Sequence, residues 1–111
     1  MIGAAKVARR YAKALLDIGK EEGKYLDYGK ELGAFLDLCE KTPELLGVLS
    51  SKIIPSDERR RILDFVLEKG GFSEVIKRFF QVLLEKERIG FLREIKSYYT
   101  KLCDELQGIV R

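Results

Sequence analysis

The sequence predicts an all-α protein: a compact six-helix bundle in a single domain. Three observations carry this. Apolar residues recur at spacings of three and four along the whole chain, while alternation at period two never lasts. Helix-ending glycines and helix-starting Ser, Thr and Pro punctuate the pattern at short intervals. The 111 residues are 46% hydrophobic and 35% charged, a composition that supports one proper core.

The first helix is expected from Ala4 to Ile18, with Gly19 placed to end it. The second is expected over 24–40, with Tyr25, Tyr28, Leu32, Phe35, Leu36 and Cys39 on one face. The third is short, Pro43 to Leu49; Thr42 suits the N-cap and Pro43 the first helical position. The fourth follows "IIPSDERRR", with Ser56 as cap and Asp57 and Glu58 in the first turn, where the helix dipole favours acids. It ends at Gly70-Gly71. The fifth is expected from Ser73 to Glu87 and the sixth from Phe91 to Leu106. Residues 1–106 then form the helical domain, and 107–111 begin a further segment.

Composition excludes several kinds of function. The net charge is +3, which is mild for a nucleic-acid reader. There is no histidine, so histidine-based triads and the common zinc ligand sets are absent. No glycine-rich phosphate loop is present: "EKGGFSE" lacks the lysine and Ser/Thr such a loop needs. The two cysteines, Cys39 and Cys103, each sit in an apolar helical stripe and read as buried thiols in a reducing compartment. Neither catalytic residues nor a metal or cofactor site is expected. No apolar run reaches the ~18 residues of a membrane span, and the N-terminus shows no signal core. Any place near a membrane is therefore expected to come from a partner.

Two helices carry more apolar surface than one buried face requires. On the first, Val7, Tyr11, Ala14 and Ile18 form one strip, and Ala5, Ala8, Ala12 and Leu16 a second. On the fifth, Val75, Phe79 and Val82 form one strip, and Ile76, Phe80 and Leu84 another. Each apolar arc spans about 200° of the helical wheel. Either both helices are central, covered on two sides, or one strip of each faces outward to receive an amphipathic helix. Alanines permit close helix approach, which makes the alanine strip the inner one. Val7, Tyr11, Ala14 and Ile18 are then left for a partner.

The segments "VARRYAKALLDIG", "FLDLCEKTPELLGVLSSKIIPSDERRRIL", "LLEKERIGFLREI" and "LQGIVR", in that order, resemble the N-terminal domain of the delta subunit of ATP synthase. Its mitochondrial relative is the oligomycin-sensitivity-conferring protein. The resemblance implies a six-helix bundle on the catalytic head, without catalytic residues of its own. It also implies a groove between the first and fifth helices that holds the N-terminal helix of an alpha subunit. By position, the first-helix wall is Val7, Tyr11, Ala14 and Ile18 with Ala4 at the rim. The fifth-helix wall is Val75, Phe79 and Val82 with Arg78 beside them, set to pair with an acid of the incoming helix.

In a bacterium the resemblance implies a peripheral place on the cytoplasmic side of the inner membrane. Family members continue past "GIVR" with a segment that engages the peripheral-stalk b subunit, and here that contact is expected to be missing. The family also commonly has glycine before the arginine of "RIGFL", where this chain has Glu87; a tighter or more helical turn is expected there. A competing resemblance is to the arginine-rich first helix of NusB-type antitermination factors, all-α RNA binders. It rests on Lys6, Arg9, Arg10 and Lys13 sharing a face and on the Arg59–Arg61 run. The acids interleaved with that run weaken it.

Overall fold

The computed structural model describes residues 3–108. Its elements are α1 (Ala4–Glu22), α2 (Tyr25–Lys41), α3 (Pro43–Ser50), α4 (Ser56–Lys69), α5 (Glu74–Glu85) and α6 (Leu92–Leu106), with one 3-10 turn (Ile89–Phe91) before α6. The all-α class and the six helices stand as expected. Contacts divide the chain into two units. One combines the chain up to Ala34 with the chain from Phe91 on, and the other is Phe35–Gly90.

In the first unit α1 packs along α6. Ala8 and Ala12 are fully buried, as close helix approach requires, together with Leu15 on α1 and Leu92, Ile95 and Tyr99 on α6. The start of α2 is tied to α6 by the Tyr99 hydroxyl, which donates to the Tyr25 carbonyl at 2.6 Å. Gly29 gives that ring room: a Cβ there would stand 3.3 Å from a Tyr99 ring carbon.

The expected stop at Gly19 is corrected. Helix α1 continues to Glu22, and Gly23 ends it in the left-handed region at φ +69°. Gly19 is a buried interior residue, where a Cβ would fall 2.7 Å from the Tyr25 Cα. Its glycine serves the close return of the chain, not termination.

In the second unit α3 packs on α4 and α4 on α5. Three aromatic rings organise its core. Phe35 and Phe80 lie 4.4 Å apart between centroids, and Phe72 meets each edge-on at 6.0 and 6.4 Å. Leu49, Leu63, Leu67, Ile76 and Leu83 are fully buried around them. Each fully buried aliphatic side chain contributes about 1.5–3 kcal/mol by leaving water.

Two caps differ from expectation. Ser56 is the first residue of α4, and Pro55 holds the cap position with extended ψ, its carbonyl accepting from the Arg59 amide at 3.1 Å. Thr42 sits at the N-cap of α3 without a side-chain cap bond; its carbonyl, not its hydroxyl, accepts from Leu45. Ser73 does cap α5, its hydroxyl oxygen accepting from the Ile76 amide at 3.4 Å. Helix α5 ends at Glu85, two residues before the expected Glu87.

Three of the helix ends share one device. At Gly23, Gly71 and Glu87 the backbone turns left-handed, with φ of +69°, +67° and +58°. Each follows the Schellman pattern, in which the left-handed residue and its successor donate back to the last-turn carbonyls. After α1, Gly23 donates to Lys20 and Lys24 to Gly19; after α4, Gly71 donates to Glu68 and Phe72 to Leu67. After α5, Glu87 donates to Leu84 at 3.1 Å and Arg88 to Leu83 at 2.7 Å. Among the described residues Glu87 is the one non-glycine with positive φ. The connection between the last two helices is therefore a left-handed stop at Glu87 followed by the 3-10 turn Ile89–Phe91.

Two tyrosines set an alkaline limit on stability. Tyr28 donates to the Glu22 carboxylate, and that bond, with burial second, pushes its pKa from 10.0 up to about 12. Burial, with Cys103 beside it, also raises Tyr99. A raised folded-state pKa favours the protonated phenol. The Tyr28 contribution is therefore complete below pH 10 and is lost as pH rises through about 12. Thermal melts from pH 8 to 12 are expected to show the midpoint dropping above pH 10, and less steeply in Tyr28→Phe. Superimposable wild-type and Tyr28→Phe profiles would contradict the assignment.

Candidate functional site

The two apolar strips are described helix by helix. On α1 the buried residues are Val7, Ala8, Ala12, Leu15, Leu16 and Gly19. Val7 is 1% exposed, so the expectation that it stands open on the outer strip is corrected. Ala5, expected inside, is exposed. The burial of Val7 follows from a rotation: the buried face is turned toward Val7 and Leu15 by roughly 40° relative to an alanine-centred face. Ala5 lies on the wheel between the buried Ala12 and Leu16, and its exposure goes with its place in the first turn of α1. What remains accessible is Tyr11 and Ala4, both partly, and Ala14 and Ile18, both exposed, with Ile18 at 41%. Tyr11, Ala14 and Ile18 are three and four residues apart and share one face. The Arg10 guanidinium lies over the Tyr11 ring at 5.8 Å, a cation–π contact that restrains it.

On α5 the division follows the wheel. Ile76, Phe80, Leu83 and Leu84 are buried. Val75, Phe79 and Val82 keep part of their surface accessible, and Arg78 is exposed beside them. Adjacent residues thus have opposite duties: Phe80 is core and Phe79 is surface. The basic residues expected on one face of α1 are partly committed to rings, Arg9 lying over Tyr98 at 5.9 Å and Arg10 over Tyr11. Cys39 and Cys103 are both buried thiols, and burial raises Cys103.

The sequence reading missed the polar centre of the second unit. The Arg59–Arg61 run has a buried member: Arg59 is 4% exposed. Its Nε donates to the Ile54 carbonyl at 3.0 Å and Nη1 to the Leu49 carbonyl at 3.3 Å. Nη2 and Nη1 reach the two Glu87 carboxylate oxygens at 3.1 and 3.4 Å. Its neighbours diverge: Arg60 pairs with Asp64 and Glu85, and Arg61 stays 74% exposed near Asp57. Three successive arginines on a helix face three directions. The available signal was the 100° step, which puts Arg59 with Leu63 and Leu67. The reading also passed over Phe65, which α4 leaves 63% exposed.

Fold and surface together define an all-α chain with a solvent-accessible apolar strip on each of two of its helices. No described helix is long and apolar enough to cross a membrane. The model of the ATP synthase delta (OSCP) subunit family matches residues 7–111. The chain is 42% identical over 107 residues to the ATP synthase subunit delta of Desulforapulum autotrophicum, covering 96% of this chain and 58% of that protein. It is 47% identical over 106 residues to that of Desulfatibacillum aliphaticivorans, with the same coverage, and 42% identical over 105 residues to that of Geobacter metallireducens, covering 95% and 58%. The chain belongs to the ATP synthase delta (OSCP) subunit family. It spans 58% of the length of these curated relatives.

Proposed function

We propose that this chain is the helical docking part of a peripheral-stalk subunit of ATP synthase. It binds the N-terminal helix of an alpha subunit through the outer strips of α1 and α5, and it catalyses nothing itself. The observation that carries the reading is the accessible apolar strip on each helix: Tyr11, Ala14 and Ile18 on α1, and Val75, Phe79 and Val82 on α5. An amphipathic helix that engages both strips buries apolar area at roughly 25 cal/mol per Å2, less the cost of its own ordering. Tyr11 is the central anchor, with a large apolar body and a hydroxyl able to bond the partner. Ala4 forms the rim. Val7 supports the strip from beneath, and Arg78 pairs with an acid of the partner to set register.

The mechanical consequence is a stator held to the catalytic head. The contact with a b-type stalk subunit is assigned to the part of the family's length that this chain does not span. The working place is peripheral to the inner membrane on its cytoplasmic side, reached through these partners.

Titration with a synthetic peptide of an alpha-subunit N-terminal helix, followed by amide chemical shifts, is expected to perturb α1 and α5. Tyr11→Ala and Val82→Asp should each weaken binding by about 30-fold or more, the loss expected at an anchor position. Helicity should be nearly unchanged. If both variants bind as wild type does, the docking surface lies elsewhere. The interaction should also depend little on salt, whereas phosphate neutralisation by a nucleic-acid binder falls steeply with it.

A further inference from the structure

Glu87 is a left-handed residue at a helix stop where the corresponding position after α1 and after α4 is glycine. A side chain in this region is disfavoured by contact between Cβ and the carbonyl, so such a residue persists only where its surroundings hold it. Here the holder is visible. The Glu87 carboxylate receives two bonds from the guanidinium of Arg59, which is itself buried and anchored on the Leu49 and Ile54 carbonyls. The α5 stop is thus made by a long-range ion pair, whereas the α1 and α4 stops are made by local glycine chemistry.

We propose that Glu87 is a positioning residue for the outer strip of α5: its ion pair with Arg59 enforces the left-handed turn that closes the last turn of that helix. The last turn includes Val82, whose carbonyl accepts the Lys86 amide at 2.9 Å. It also includes Leu83 and Leu84, whose carbonyls accept from Arg88 and Glu87. Without the pair, residue 87 relaxes toward right-handed or extended backbone. The two Schellman bonds then open, and Val82 loses its fixed place relative to Val75 and Phe79. The affinity consequence rests on the docking reading above; the backbone consequence does not.

The test compares Glu87→Ala with Glu87→Gly in the full chain. Both remove the carboxylate, but glycine restores a free choice of left-handed backbone. Hydrogen exchange at the Glu87-position and Arg88 amides is measured against the Leu63 amide as a reference for global opening. Alanine is expected to speed local exchange by about 5–30-fold relative to that reference, and glycine to return it close to wild type. Affinity for the alpha-subunit peptide should follow the same order, weakest for alanine and recovered for glycine. Equal local exchange in the two variants, or wild-type exchange in alanine, would overturn the proposal. Absence of peptide binding by the wild-type chain would instead overturn the docking reading and leave the exchange result to decide the turn.

Discussion

Phe80→Ala is expected to lower stability by about 3–5 kcal/mol, the range for truncating a fully buried aromatic side chain. Phe80 has no exposed surface, and its ring is packed by Phe35 and Phe72. Both neighbours come from elements that cannot follow the lost ring inward without breaking their own helix or turn, so a cavity remains. In a domain of this size the thermal midpoint should fall by well over about 10 °C. Urea unfolding measures the free energy directly. Phe79→Ala is the internal control. Its ring keeps accessible surface, so the stability cost should be clearly smaller, while peptide affinity should fall if the α5 strip docks the partner. A small loss for Phe80→Ala, equal to that of Phe79→Ala, would show that the aromatic cluster does not organise the second unit.

Arg59→Ala should cost a similar amount, about 3–5 kcal/mol, through the loss of two charged-donor bonds to backbone carbonyls. The guanidinium is the donor for two carbonyls, Leu49 and Ile54, at the end of α3 and in the segment leading to α4. Removing it leaves those acceptors with only such water as can enter. Bonds from a charged donor are worth about 1.5–3 kcal/mol each. Glu87, at the surface end of the pair, can regain water, so most of the loss lies with the carbonyls. Arg59→Lys should recover little, because one ammonium cannot serve three acceptors in the fixed directions of the guanidinium fork. Arg61→Ala is the contrast: the side chain is 74% exposed and its loss should stay within about 0.5 kcal/mol. Urea unfolding of the three variants checks the order, and equal costs for positions 59 and 61 would refute it.

Much of this molecule is legible in its sequence. The six helices, the division of α5 into Ile76/Phe80/Leu84 and Val75/Phe79/Val82, and the Gly70-Gly71 stop all depend on information within one or two helical turns. Side-chain period, capping hydroxyls and glycine freedom act at that range. The errors share a cause. Gly19 has the composition of a helix stop, but its role is set by Tyr25 returning against it. Val7 has the spacing of the outer strip, but the rotation of the buried face of α1 covers it. Ser56 has cap chemistry, but Pro55 already holds the cap position.

The order of residues alone sets where the helices run, which of their faces are apolar and which family the chain resembles, because periodicity and local punctuation are written in consecutive residues. Which apolar residues stay accessible, and which charge goes inside, is settled by packing. Those outcomes depend on neighbours distant in sequence. A wheel shows that a side chain is oily or charged; it cannot show whether another element has come to cover it, as at Val7, or to receive it, as Glu87 receives Arg59.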